Sequence, residues 1–126
     1  MGKSLKAWVG IGLCFVKKGR LDIAEIYFKE ALKMEPACAA ANFEIGKYRF
    51  DNKKYKYSMG YFKKVLDVQP THEMANYYAA YALVKLNEFE EAWKYINKSI
   101  ELGENEDKKS LLDKINKSLK VKVSRL

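Results

Sequence analysis

Sliding the chain along itself by 34 residues lays Ala7 on Ala41 and Ala75, Ile11 on Ile45 and Ala79, and Gly12 on Gly46 and Ala80. The same step lays Ala24 on Ser58 and Ala92, Phe28 on Phe62 and Ile96, Leu32 on Leu66 and Ile100, and Pro36 on Pro70. A fixed period of this size constrains the fold more than any single motif. Each unit is one supersecondary element that cannot bury its apolar face alone, so it must stack on its neighbours.

Within each copy two helical stretches flank a short polar break at Lys18-Gly19-Arg20, Asn52-Lys53-Lys54 or Asn87-Glu88, which predicts helical hairpins. Ser4 is placed to cap a helix running to about Lys18, and Asp22 with Glu25 three residues on reads as a capping signal for the next. Pro36 and Pro70 end the second helices. Small residues at Gly12, Gly46 and Ala80, and at Ala24, Ser58 and Ala92, predict close helix crossings, with Phe28, Phe62 and Ile96 filling the space between hairpins.

Trp8, Ile11, Gly12, Phe15, Ala24, Phe28 and Pro36 together resemble the tetratricopeptide repeat. The second copy keeps Ile45, Gly46, Ser58, Phe62 and Pro70 but has Asn42 for the Trp and Arg49 for the aromatic. The third keeps Ala79, Ala80, Leu83, Ala92 and Ile96, with Asn76 at the Trp position and no terminal Pro. The resemblance covers about Leu5 to Glu104. It implies an all-α fold, a right-handed α-solenoid of three hairpins with repeats at about 5–38, 39–72 and 73–106, whose first helices line a concave groove. A fourth step would put Asp113 and Lys114 where Leu and Gly are needed. Leu111, Leu112, Ile115 and Leu119 instead form one apolar stripe, with acids before it and lysines after. This predicts a capping helix over about 107–120 and a basic tail at 121–126, the whole chain forming one domain.

At 14.6 kDa a globular chain would expose roughly 6,900 Å² of the about 21,000 Å² it exposes unfolded. Ala7 to Val16 is too short an apolar run to cross a bilayer, and no leader precedes it, so the expectation is a cytoplasmic chain without a membrane partner. The single histidine, His72, falls at a helix start and reads as exposed. Gly2-Lys3-Ser4 lacks the upstream glycine and strand of a phosphate loop, and Glu90-Glu91 suits a helix N-terminus. Cys14 and Cys38 have no metal-ligand spacing and read as unpaired thiols. No enzyme, cofactor, metal or small-molecule substrate is indicated.

The resemblance directs ligand contacts to the first helices. Its carboxylate-clamp register falls on Val9, Leu13, Glu44, Met74 and Tyr78, which are unsuited to gripping a peptide carboxylate; Glu44 would repel one. What remains is an apolar and aromatic groove of Val9, Leu13, Phe43, Phe50, Tyr77, Tyr78 and Tyr81, edged by Lys6, Lys17, Lys47 and Lys85. The expected function is a non-enzymatic adaptor or scaffold, binding a protein or peptide with apolar anchors and some acidic residues. The net charge of +8 offers nucleic acid or an anionic surface as an alternative, opposed by lysines spread among all three copies and interleaved with acids. The first helix, apolar around most of its circumference, offers another: a homo-oligomer, or a segment of a longer solenoid.

Overall fold

The computed structural model describes residues 2–126 and contains, among them, seven α-helices and no strand. In chain order these are α1 (Leu5–Lys17), α2 (Leu21–Met34), α3 (Ala39–Asp51), α4 (Tyr55–Val68), α5 (Glu73–Lys85), α6 (Phe89–Leu102) and α7 (Glu106–Ser124). The first six form three hairpins whose helix boundaries recur at the sequence period of 34 residues. α3 meets α5 and α5 meets α7 directly, while no second helix touches the next to a comparable degree. From α3 to α7 the helices at the first-helix register thus approach more closely than the second helices, and that part of the row curves toward the side they occupy. Total accessible area is 7,926 Å², above the roughly 6,900 Å² of a globular chain of this mass. A curved single row of hairpins leaves that excess uncovered.

Each hairpin reverses through a residue in the left-handed region at one register position: Gly19 (φ 74°), Lys53 (φ 62°) and Asn87 (φ 61°). Glycine occupies that region freely, whereas lysine strains there. Ser4 caps α1 as its sequence predicts, its Oγ accepting from the Ala7 N–H at 3.1 Å. The capping signal at Asp22 and Glu25 fails. α2 starts from Arg20, whose backbone (φ −98°, ψ 69°) is not the extended conformation of a side-chain cap, and the same holds for α4 at Lys54 and α6 at Glu88. Glu25 instead forms an ion pair with Arg49 of α3. That explains a departure from the repeat pattern: Phe15, at the register of Arg49, stacks on Tyr27 at 5.5 Å, whereas Arg49 reaches a carboxylate on the preceding hairpin.

The small-residue positions have a direct steric cause. A Cβ on Gly12 would lie 2.5 Å from the Phe28 ring, and one on Gly46 would lie 2.7 Å from Phe62. The third hairpin carries Ala80 opposite the slimmer Ile96, both fully buried. The two asparagines at the Trp position are also buried. Asn42 Nδ2 donates to the Pro36 carbonyl at 3.0 Å and Asn76 Nδ2 to the Pro70 carbonyl at 3.1 Å, tying each inter-repeat turn to the helix that follows. Trp8 has no such turn before it among the described residues and packs on Tyr27.

α7 outruns its expected span. It reaches Ser124, so most of the segment read as a basic tail is helical. Its buried stripe is Lys108, Leu111 and Ile115. Lys108 is 1% exposed. Its Nζ donates to Glu73 Oε1 at 2.7 Å, to the Ser99 carbonyl at 2.8 Å and to the Gly103 carbonyl, which satisfies the C-terminal end of α6 and anchors it to the start of α5. Farther along, Lys122 bonds Glu90 and holds its carboxyl below the usual range. Lys108 is therefore not a surface cation that a polyanion could meet. No helix among the described residues is long and apolar enough to cross a membrane.

Candidate partner-binding groove

Five of the groove candidates form one connected aromatic sheet on α3 and α5. Phe50 lies at its centre, edge-on to Tyr78 at 5.1 Å and to Tyr81 at 5.2 Å. Tyr77 joins through Tyr78 at 5.8 Å and Tyr81 at 6.3 Å, and Phe43 meets Tyr78 at 6.0 Å. These edge-to-face separations are the attractive geometry for rings. All five are half-buried: their inner edges pack on the core of the second and third hairpins and their outer edges remain accessible. Lys47 lies over Phe43 at 5.4 Å and also sits 3.9 Å from Glu44, while Lys85 lies over Tyr81 at 5.6 Å.

Val9 and Leu13 stand apart. Val9 packs with the separate core around Ala24 and Phe28, and Leu13 is exposed; neither belongs to the core on which the aromatic sheet packs. Val84, which shares the groove register, is buried in the core.

The tyrosines differ among themselves. Tyr78 stacks on the fully buried Phe62 at 5.8 Å and is floor as much as groove. Tyr77 and Tyr81 reach outward to a hollow of about 240 Å³ that α7 closes with Asp107, Ser110, Leu111 and Lys114. Burial, then the Asp51 and Glu44 carboxylates, pushes the Tyr78 phenol up; burial, then Asp107 and the neighbouring tyrosines, does the same for Tyr77. Both stay protonated as hydrogen-bond donors.

His72 belongs to this site although its position at a helix start reads as exposed. Its Nδ1 accepts from the Ala75 N–H at 3.0 Å as the cap of α5, and its ring lies 4.6 Å from Phe43. Burial lowers its pKa, in keeping with a neutral ring that accepts through Nδ1. The signal was available, since His72 stands 34 residues after Cys38 and 68 after the capping Ser4.

Residues 5–38 match the tetratricopeptide repeat family. Among curated proteins, RNA polymerase-associated protein CTR9 of Caenorhabditis elegans is 31% identical over 88 residues, 68% of this chain and 8% of that protein. Anaphase-promoting complex subunit 3 of Schizosaccharomyces pombe is 26% identical over 86 residues, 68% of this chain and 13% of that protein. The chain thus spans only a small fraction of either. Among solved structures, MamA superposes with a TM-score of 0.84 at 23% identity, covering 94% of this chain and 66% of that one. The first TPR of Spaghetti (RPAP3), bound to the HSP90 peptide SRMEEVD, gives 0.82 at 20% identity, covering 91% and 92%.

Proposed function

Because this chain is a tetratricopeptide repeat protein, we propose that it is an interaction adaptor or scaffold that binds a helical or extended segment of a partner through apolar anchors on the α3–α5 sheet. The observation that carries this reading is the half-buried ring network around Phe50. A rigid array of tyrosine and phenylalanine edges offers large contact area at low entropic cost. Glu44 stands beside this floor with Lys47, so the groove favours side-chain anchors over a terminal carboxylate. In this it departs from a peptide such as the one bound to the Spaghetti domain. Lys47 and Lys85, which lie over the Phe43 and Tyr81 rings, suit acidic residues flanking the anchors.

Selection from a displayed peptide library tests this. Tyr81→Ala is the discriminating variant, because Tyr81 touches only Phe50 and Tyr77 among aromatic rings and not the buried Phe62. Peptides enriched on the wild-type chain should carry spaced apolar residues and should bind Tyr81→Ala about thirtyfold more weakly, the loss expected of one central anchor. Binding that ignores Tyr81→Ala but collapses when Lys47 and Lys85 are reversed to Glu would replace the apolar groove with an electrostatic one.

A further inference from the structure

The charge of +8 is not spread evenly. Residues 39–72 hold seven basic and three acidic side chains, net +4, whereas residues 73–106 hold three basic and seven acidic, net −4. Lysines occur in all three copies, but the balance of charge changes sign between the second and the third. The acids of the third hairpin are largely engaged: Glu73 by Lys108, Glu90 by Lys122, Glu101 by Lys98, and Glu104 and Glu106 by Lys109. Apart from Lys47, which pairs with Glu44, the lysines of the second hairpin are not. Among the described residues Lys53, Lys54, Lys56, Lys63 and Lys64 make no ion pair.

Three of these free cations, Lys54, Lys56 and Lys64, line a notch on α4 and the hollow beside it. Lys56, Tyr57, Gly60, Tyr61 and Lys64 line a hollow of about 520 Å³, with Tyr57 69% exposed. An adjoining hollow of about 540 Å³ shares both tyrosines and adds Arg49, Asn52 and Lys54. No carboxylate lines either one. Gly60 forms the floor, and a Cβ there would meet nothing within 4 Å, as at Gly10 of α1. Packing requires glycine at Gly12 and Gly46 but not at Gly60, where a mid-helix glycine weakens α4 relative to alanine. What Gly60 supplies is space between two tyrosines.

We propose that this face of α4 is a second docking surface, distinct from the aromatic groove, for an acidic peptide segment that seats one apolar side chain over Gly60 while its carboxylates meet Lys56 and Lys64. Charge complementarity names the partner's sign, and the tyrosine-walled notch names its anchor. A nucleic-acid strand fits less well. The positive track is short, ending at Asp67 on the same helix and at the Glu25–Arg49 pair on the other side, and the one arginine in it is already held. A second copy of the chain also fits less well, because five of the seven acids in its acidic third hairpin are bound to its own α6 and α7 lysines.

The test uses the full chain and a fluorescein-labelled peptide of alternating Glu and Ser with one central Phe, read by anisotropy beside a counterpart with Ala in place of Phe. The Phe peptide should bind at least about tenfold more tightly than its counterpart, and Gly60→Gln and Tyr57→Ala should each weaken it by about tenfold or more. Gly60→Gln should raise the melting temperature or leave it unchanged, so that lost binding is not lost folding. Tyr81→Ala should leave this binding intact, which separates a failure here from a failure of the groove. Equal binding of the two peptides, or loss only on charge reversal, would reduce the patch to diffuse electrostatics and overturn the proposal. A single-stranded oligonucleotide binding more tightly than the peptide, with the same dependence on Tyr57 and Gly60, would overturn it in favour of nucleic acid. Sedimentation showing dimers lost in Tyr57→Ala would assign the surface to self-association instead.

Discussion

The two ends of the row are built to different standards. α5 buries seven residues, Ala75, Asn76, Ala79, Ala80, Ala82, Leu83 and Val84, because α3 and α4 cover one side and α6 and α7 the other. α1, with a more apolar sequence, buries only Gly12. Its aromatic residues Trp8 and Phe15 lean on Tyr27 and stay partly open to water. Burial in such a row follows the number of neighbours a helix has rather than its own hydrophobicity. Stability should therefore be graded along the chain, and amide exchange should be faster in α1 than in α5.

The largest perturbation of this gradient is loss of the well-covered end. Truncation after Glu104 removes Leu111 and Ile115, each worth about 1.5 to 3 kcal/mol when buried, together with the Lys108 anchor. A drop of about 5 kcal/mol in urea-unfolding free energy is expected, and an unchanged midpoint would show that α7 is not structural. Next comes a matched pair, Phe28→Ala and Phe62→Ala, two fully packed rings at equivalent positions. Each should cost about 3 to 5 kcal/mol, with Phe62 the costlier because it also supports Phe43 and Tyr78. Equal losses measured in parallel would contradict the gradient.

Lys108→Met keeps the apolar stem but leaves the Ser99 and Gly103 carbonyls without their charged donor. About 2 kcal/mol should be lost. Glu73→Gln should lose less, because the half-exposed partner is partly solvated already.

A pH titration separates the two ends by chemistry. Ser4 cannot titrate, whereas His72 has a folded-state pKa below its unfolded one, so the unfolded chain binds the extra proton first. Stability should be constant above the unfolded value of about 6.5 and fall as pH drops below it toward the folded value, by at most the roughly 1 kcal/mol of one helix cap. His72→Asn, which caps without titrating, should flatten that part of the profile. Smallest of all is Lys53→Gly, which relieves the left-handed lysine and should stabilise by about 0.5 to 1 kcal/mol in a thermal melt; Gly19 shows that the position accepts glycine.

Periodicity made most of this architecture legible. Because each hairpin repeats the same contacts, Gly12 with Phe28 in one copy announces Gly46 with Phe62 in the next. Departures from the period were harder to read, because each is a contact made between copies. Asn42 and Asn76 look like a lost tryptophan until the proline carbonyls they bind are seen, and Arg49 looks like a lost aromatic until Glu25 is found beside it. Lys108 stands three residues before Leu111 on the cap's apolar stripe. A lysine on a buried stripe just beyond the end of a helix carries a signal, but its type reads as surface. In the groove, register correctly gathers Phe43, Phe50, Tyr77, Tyr78 and Tyr81 on neighbouring helices. It does not tell wall from floor, which depends on the ring beneath, as Phe62 beneath Tyr78 shows.

The pairing of a missing side chain with a large one also fixes what could be shuffled in this chain. If α4 were grafted behind α5 in place of α6, the Phe62 ring would press on Ala80, where even the Cβ of an alanine at Gly46 would come within 2.7 Å of it. The reverse graft, α6 behind α3, would set Ile96 against Gly46 and leave the space of a ring edge empty. Helices of this protein are therefore not interchangeable parts, although they share length and register. The exchangeable unit is the whole hairpin, lock and key carried together, and a library built by recombining single helices should yield far fewer folded members than one recombined at the turns after Met34 and Val68.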